Sequence, residues 1–228
     1  MVDHILIPCS KSKSVQPREQ LIWKEGVSLK DWVSSWSNQN WERFEAGELY
    51  TGRATRNQLD LVGSKAGSCA YVISAGAGLI RVDAGVKIPP YEATFGKIGP
   101  SLEDWSKLPC EGLSNIELED GDMIVAFAPP RYLEAISKDP VISKLWGHVV
   151  APQSSCLGEK CGFPVNIHPR IKEVLGVGAA DLNTELIKIY LDYGISEIER
   201  FSDIAGKLPP PPERRRVSDE ELLEIVKK

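Results

Sequence analysis

The chain has no uninterrupted apolar run of about 18 residues, no CxxC pair and no GxxxxGK[ST] loop. The first absence excludes a bilayer-crossing helix, the second a ready zinc site, and the third a Walker phosphate loop. Positive charge is in deficit: 27 Lys and Arg stand against 32 Asp and Glu, for a net charge of −5. No global field draws such a chain onto nucleic acid, so any contact of that kind needs a local basic patch. The five cysteines, Cys9, Cys69, Cys110, Cys156 and Cys161, form an odd set. A disulfide framework is not indicated, and a reducing cytosol fits best. The opening MVDHILIPCSK is too short in apolar residues for a secretory h-region. A soluble, untargeted, cytoplasmic protein with no membrane partner is expected.

What is present is a chain of 228 residues, 42% hydrophobic, long enough to bury one large core. Four short runs read as strands covered on both faces: His4 to Pro8, Ala70 to Ser74, Met123 to Ala128 and His148 to Ala151. Each is almost continuous in apolar residues rather than alternating. Helical segments fall between them at Ala54 to Lys65 and Arg131 to Trp146, the second opened by Pro129-Pro130. The order predicts an α/β fold, a mainly parallel Rossmann-like sheet of at least four strands with flanking helices. In such sheets ligands sit beyond the carboxyl ends of the strands, so the four loops leaving those ends should converge.

Residues 1–166 are expected to form the α/β core, with 23–46 a helical insertion carrying Trp23, Trp32, Trp36 and Trp41. From His168 onward no strand pattern appears. Residues 167–206 read as helices, with Leu182, Leu186, Ile189, Tyr190 and Tyr193 on one face. Residues 207–228 read as a proline linker and a last helix, capped by Ser218 with Glu221 at capping-box spacing.

Four segments carry chemistry. Pro8-Cys9-Ser10-Lys11-Ser12-Lys13 crowds hydroxyl, thiol and ammonium groups into one loop, which suits a phosphate, a carboxylate or the edge of a base, or is simply a solvated turn. Ile73-Ser74-Ala75-Gly76-Ala77-Gly78 leads to Asp83, Tyr91 and Glu92; its glycines allow close approach of a ligand or form a tight turn. Gln153 to Pro164 reads as a structural loop, its two cysteines poorly spaced for a metal. Lys172 to Asp181, with Leu175-Gly176-Val177-Gly178, has the glycine pattern of a helix-hairpin-helix, or of an ordinary helix end followed by a new N-cap. The tryptophans fit packing better than base stacking, and Arg214-Arg215-Arg216 fits a solvated charge run.

PCSKSK, Gly47-Glu48-Leu49-Tyr50-Thr51-Gly52 with Arg53, ISAGAGLI, Asp83 and PPYEATFG, taken as a series over residues 4 to 96, resemble the YaaA-like superfamily. The PCS motif is also similar to that of archaeosine synthases. The resemblance implies a compact α/β core, DNA binding helped by a helix-hairpin-helix, and a site related to enzymes of purine-like bases. Members of this wider group are linked to stress and phage defence, a setting that a DNA glycosylase removing a modified base would fit.

On that reading a carboxylate stabilises the oxocarbenium-like sugar or activates water. Asp83 is the first choice, followed by Glu92 and Glu48. Cys9, Ser10, Lys11, Ser74 and Gly76 would hold the base, and Tyr91 or Tyr50 would stack on it after it is flipped from the helix. Lys13, Arg53, Gly176, Gly178 and Lys172 would hold phosphate. No metal or cofactor is needed, and the partner is DNA. The rivals are a base-modifying transferase with Lys11 or Lys13 as nucleophile, and a DNA-binding stress protein without turnover.

Overall fold

The computed structural model describes residues 1–37, 40–96 and 98–210. The strands are β1 (Asp3–Pro8), β2 (Phe44–Glu45), β3 (Ser68–Ser74), β4 (Gly78–Arg81), β5 (Lys87–Ile88), β6 (Met123–Val125), β7 (Val149–Pro152) and β8 (Phe163–Val165). The helices are α1 (Leu29–Trp36), α2 (Ala46–Leu49), α3 (Arg53–Gly63), α4 (Pro130–Ser137), α5 (Ile142–Leu145), α6 (Ile171–Leu175), α7 (Leu182–Tyr193) and α8 (Ile195–Gly206). Six strands form one sheet in the order β4-β3-β1-β6-β7-β8, parallel except for β4; β2 and β5 make a separate antiparallel pair. This is the expected α/β sheet.

Continuous apolar strands bury both faces because successive side chains point to opposite sides. Ile5 and Ile7 face a core with Val125, Phe127 and Val150, closed by Val62 of α3, Ile187 of α7 and Ile198 of α8. Leu6 faces the other core, with Tyr71, Ile73 and Ile124 under Trp32, Trp36 and Trp105. The C-terminal helices α6 to α8 therefore cover one face of the sheet. In the tryptophan segment, α1 is capped by the Ser28 hydroxyl, which accepts the Asp31 N–H at 3.1 Å. Trp32 and Trp36 are packing residues, buried against Tyr91.

Two elements differ from the sequence expectation. The glycine-rich segment after Ser74 is a tight turn, the second of its two readings, but it leads into a strand not expected there: Gly78 pairs with Ser74 and Arg81 with Tyr71, so β4 runs back along β3. The stretch 153–164 ends in β8, a sixth strand short enough to pass for loop. The hairpin-like glycines also have a simple local role. Gly176, at φ 67°, ends α6 in the left-handed region, and the Val177 N–H donates to the Lys172 carbonyl at 3.1 Å. The segment expected to form a last helix, with Arg214-Arg215-Arg216 and Ser218, lies outside the described residues.

The chain climbs from β1 to β3 and β4 on one side, then crosses to β6, β7 and β8 on the other. The sheet order reverses between β1 and β6, and there the carboxyl-end loops part to leave a crevice.

Candidate active site

The loop after β1 is built against the segment that precedes α3. Lys13 bridges to Tyr50, the Thr51 N–H donates to the Ser12 carbonyl at 3.0 Å, and the Ser14 N–H donates to the Leu49 carbonyl at 2.9 Å. The Ser10 hydroxyl donates to the Ser12 carbonyl at 2.7 Å and accepts the Gly52 N–H at 3.2 Å. Gly52 must be glycine for this approach, since a Cβ would stand 2.5 Å from that of Ser10.

A cleft of about 450 Å³ opens at the reversal point, between this loop and the start of α4. Cys9, Lys11 and Lys13 line one side, Glu92 and Phe95 another, and Tyr132 a third. Lys11 is exposed, whereas Lys13 is half-buried with Nζ 4.5 Å from the Tyr91 ring centroid and 5.8 Å from that of Tyr50. Burial pushes the Lys13 ammonium below its ordinary range, against an opposing pull from Cys9 and Glu92. A lowered ammonium pKa is the property that a proton donor or a nucleophilic lysine requires. The Tyr132 hydroxyl donates to the Cys9 carbonyl at 3.2 Å, which leaves the Cys9 thiol, 3.5 Å from it, free to donate back. Phe95 and Tyr132 meet edge to face, with centroids 5.2 Å apart.

Beneath Lys13 runs a buried chain of hydroxyls. Tyr50 and Tyr91 are 2.6 Å apart at their oxygens, and Tyr91 also bonds Ser74. The Ser74 oxygen accepts the N–H groups of Ala77 at 2.8 Å and Gly76 at 3.2 Å, while its carbonyl accepts the Trp105 indole N–H. Burial raises both phenols well above their ordinary pKa, so they stay neutral. Gly76 lies under the Tyr91 ring, and its carbonyl accepts the Trp32 indole N–H at 2.7 Å. Tyr91→Phe is expected to cost about 2 kcal/mol, because it strands buried hydroxyls on both sides; denaturant unfolding measures it.

The sequence-predicted residues therefore divide. Cys9, Ser10, Lys11, Lys13 and Glu92 line the cleft together. Ser74, Gly76, Tyr50 and Tyr91 form its buried support, and the stacking role expected of the two tyrosines is corrected, because both rings are covered. Asp83 is carried away by the reversal of β4. The Val82 N–H bonds the Ala70 carbonyl, which places Asp83 about 15 Å from the carboxyl edge at the strand rise of 3.3 Å per residue. There it is exposed and paired with Arg81 at 2.7 and 3.1 Å, which lowers its pKa. Glu48 is also exposed, and its carboxylate accepts the Glu45 N–H in a capping box.

Arg53 is exposed and donates to both oxygens of Asp181 at 3.0 and 3.1 Å. With Gln58 on Thr184 and Lys65 on Asp192, this pair sets α3 and α7 side by side and parallel. The turn from Gly176 to Asp181, with exposed Lys172 and Gly178, is thereby tied to the end of α3 that holds the β1 loop. Sequence reasoning did not single out Tyr132 or Phe95. The proline pair that opens α4 and the PPYEATFG run were the available signals.

No helix among the described residues is long and apolar enough to cross a membrane. Comparison with curated proteins and with solved structures gives no match. A family model matches residues 32–159, a span that takes in the cleft-lining Glu92, Phe95 and Tyr132 and the buried Tyr50, Ser74 and Tyr91. That span is more than half of the chain, and the protein belongs to the family of unknown function DUF6884.

Proposed function

We propose that the cleft is the active site of a cytoplasmic DNA glycosylase that hydrolyses the N-glycosidic bond of a modified base, in a setting of phage defence. One observation carries this: the Glu92 carboxylate and the desolvated Lys13 amine share a cleft of about 450 Å³ at the reversal point of the sheet. That size suits one flipped nucleoside. Glu92 takes a proton from water as the water oxygen bonds to C1′. The C1′–N bond breaks, and Lys13 gives a proton to the departing base. A lowered ammonium pKa makes Lys13 the better acid for that step. Phe95 and Tyr132 would flank the base, while Ser10 and Lys11 would meet its polar edge. The YaaA-like resemblance supports a base site in this loop. Lys11, Lys172 and the Gly176–Gly178 turn supply local DNA contacts that a net charge of −5 does not.

The depressed Lys13 pKa favours one rival, in which the amine itself attacks an electrophilic base, as a base-modifying transferase would require. Incubation with unmodified and hypermodified DNA, followed by alkali, separates the readings. Strand breaks on modified DNA alone are expected, and salt-sensitive binding without breaks overturns the glycosylase. Asp83→Ala is expected to keep activity within about twofold, since it removes only an exposed ion pair remote from the cleft. A large loss on that change would return the catalytic carboxylate to Asp83.

A further inference from the structure

A second and larger cavity, of about 780 Å³, lies on the same carboxyl edge, over the ends of β6 and β7. Pro130 borders both it and the base cleft, so the two spaces are separated by the first turn of α4. The mechanism makes no use of this space. We infer that it seats the nucleotide next to the flipped one in the same strand, so that the substrate is an oligonucleotide rather than a free nucleoside. This rests on the base-removal reading and adds to it a second seat, for the neighbouring nucleotide of the same strand.

The lining fits that occupant. Leu133, Leu182 and Leu186 give an apolar wall against which a base or sugar face packs. Ser154 and Asn183 offer hydrogen bonds at the rim, and Lys160 is exposed there with no ion-pair partner among the described residues. Lys138, by contrast, is matched by Glu103 at 3.6 Å, and of the two lining carboxylates Glu134 is held by Arg131 at 3.1 Å while Glu159 is exposed beside Lys160, which leaves Lys160 as the lining cation without an ion pair among the described residues. Adjacent nucleotides are joined through one phosphate, and Pro130 lines both cavities, with Arg131 beside it paired to Glu134 at 3.1 Å. Leu182 and Asn183 directly follow Asp181, the residue through which Arg53 ties α7 to the base-cleft side. A free second ligand would have no need of such continuity.

The test compares a short single-stranded oligodeoxycytidylate with deoxycytidine, each titrated calorimetrically into the full chain, its Ser154→Trp variant and its Lys160→Glu variant. Both substitutions are at exposed positions and leave the base cleft untouched. The expected result is an oligonucleotide held about tenfold or more tightly than the nucleoside by the natural chain. Both variants should lose that advantage, with nucleoside affinity unchanged. Equal affinity for the two probes, or variants that weaken both alike, overturns the inference while sparing the base cleft. Binding of neither probe overturns the inference, since a seat for the neighbouring nucleotide needs no modified base, and leaves the base-removal reading to the strand-break assay on modified DNA.

Discussion

Glu92→Gln is expected to lower base removal by about 10²–10⁴-fold, the usual worth of a positioned general base. Glu92 is exposed, so the change should leave thermal stability almost untouched and register in kcat. Lys13→Met gives the complementary result. Under base removal it weakens the reaction less than Glu92→Gln does, because water attack survives loss of the leaving-group acid. Under the lysine-nucleophile rival the order inverts: Lys13→Met abolishes turnover and Glu92→Gln is mild. Single-turnover rates of the two variants on one modified duplex therefore separate the chemistries.

Lys13→Met also carries a stability signature. In the folded chain the ammonium is desolvated and its pKa lies below the ordinary value of 10.5. The unfolded chain thus binds more protons between that lowered value and 10.5, and stability rises with pH across this window. Methionine keeps the stem packed on Tyr91 and removes the buried charge. The variant is expected to match or exceed the natural chain at neutral pH and to lose the alkaline rise. Urea unfolding at several pH values up to 10.5 checks it.

The parts of this site legible in the sequence were those fixed by local pattern. β1, β3, β6 and β7 show as near-continuous apolar runs because burial on both faces leaves no room for alternation. The loop after β1 shows as a crowd of polar side chains at a strand end. Strand direction leaves no such trace: Gly78–Arg81 is equally apolar whether it runs with β3 or against it, and only the reversal sends Asp83 to the far edge. Nor does the sequence say which aromatic rings are covered. Tyr91 is closed off by Trp32 and Trp36, more than fifty residues earlier in the chain, and by Gly76. Tyr132 joins Cys9 across 123 residues of sequence. Such long-range pairings come from topology, and the hydrophobic period does not encode them.

Gly78→Ala is expected to be the most destabilising of the single changes argued for this chain, at about 3 kcal/mol. Two costs coincide at this position. Its φ of 99° lies where side chains are strained, and a Cβ there would overlap the Glu111 carbonyl oxygen. That oxygen cannot yield cheaply, since it accepts the Leu79 N–H at 2.9 Å. Gly85 isolates the first cost, because its φ is 64° and nothing stands within 4 Å of the added carbon. Gly85→Ala should cost only about 1 kcal/mol. In thermal melts this is a drop of about 6–12 °C for Gly78→Ala against about 2–4 °C for Gly85→Ala, given the usual entropy of unfolding for a chain of this size. The larger effect should reach the cleft as well. Gly78 pairs with Ser74, whose hydroxyl bonds Tyr91, and Tyr91 lies under the Lys13 amine. A displaced β3–β4 turn would loosen that support and let water reach Lys13, so its titration should move back toward 10.5 in Gly78→Ala. In Gly85→Ala, which lies beyond Arg81 on the far side of β4, it should stay where it is.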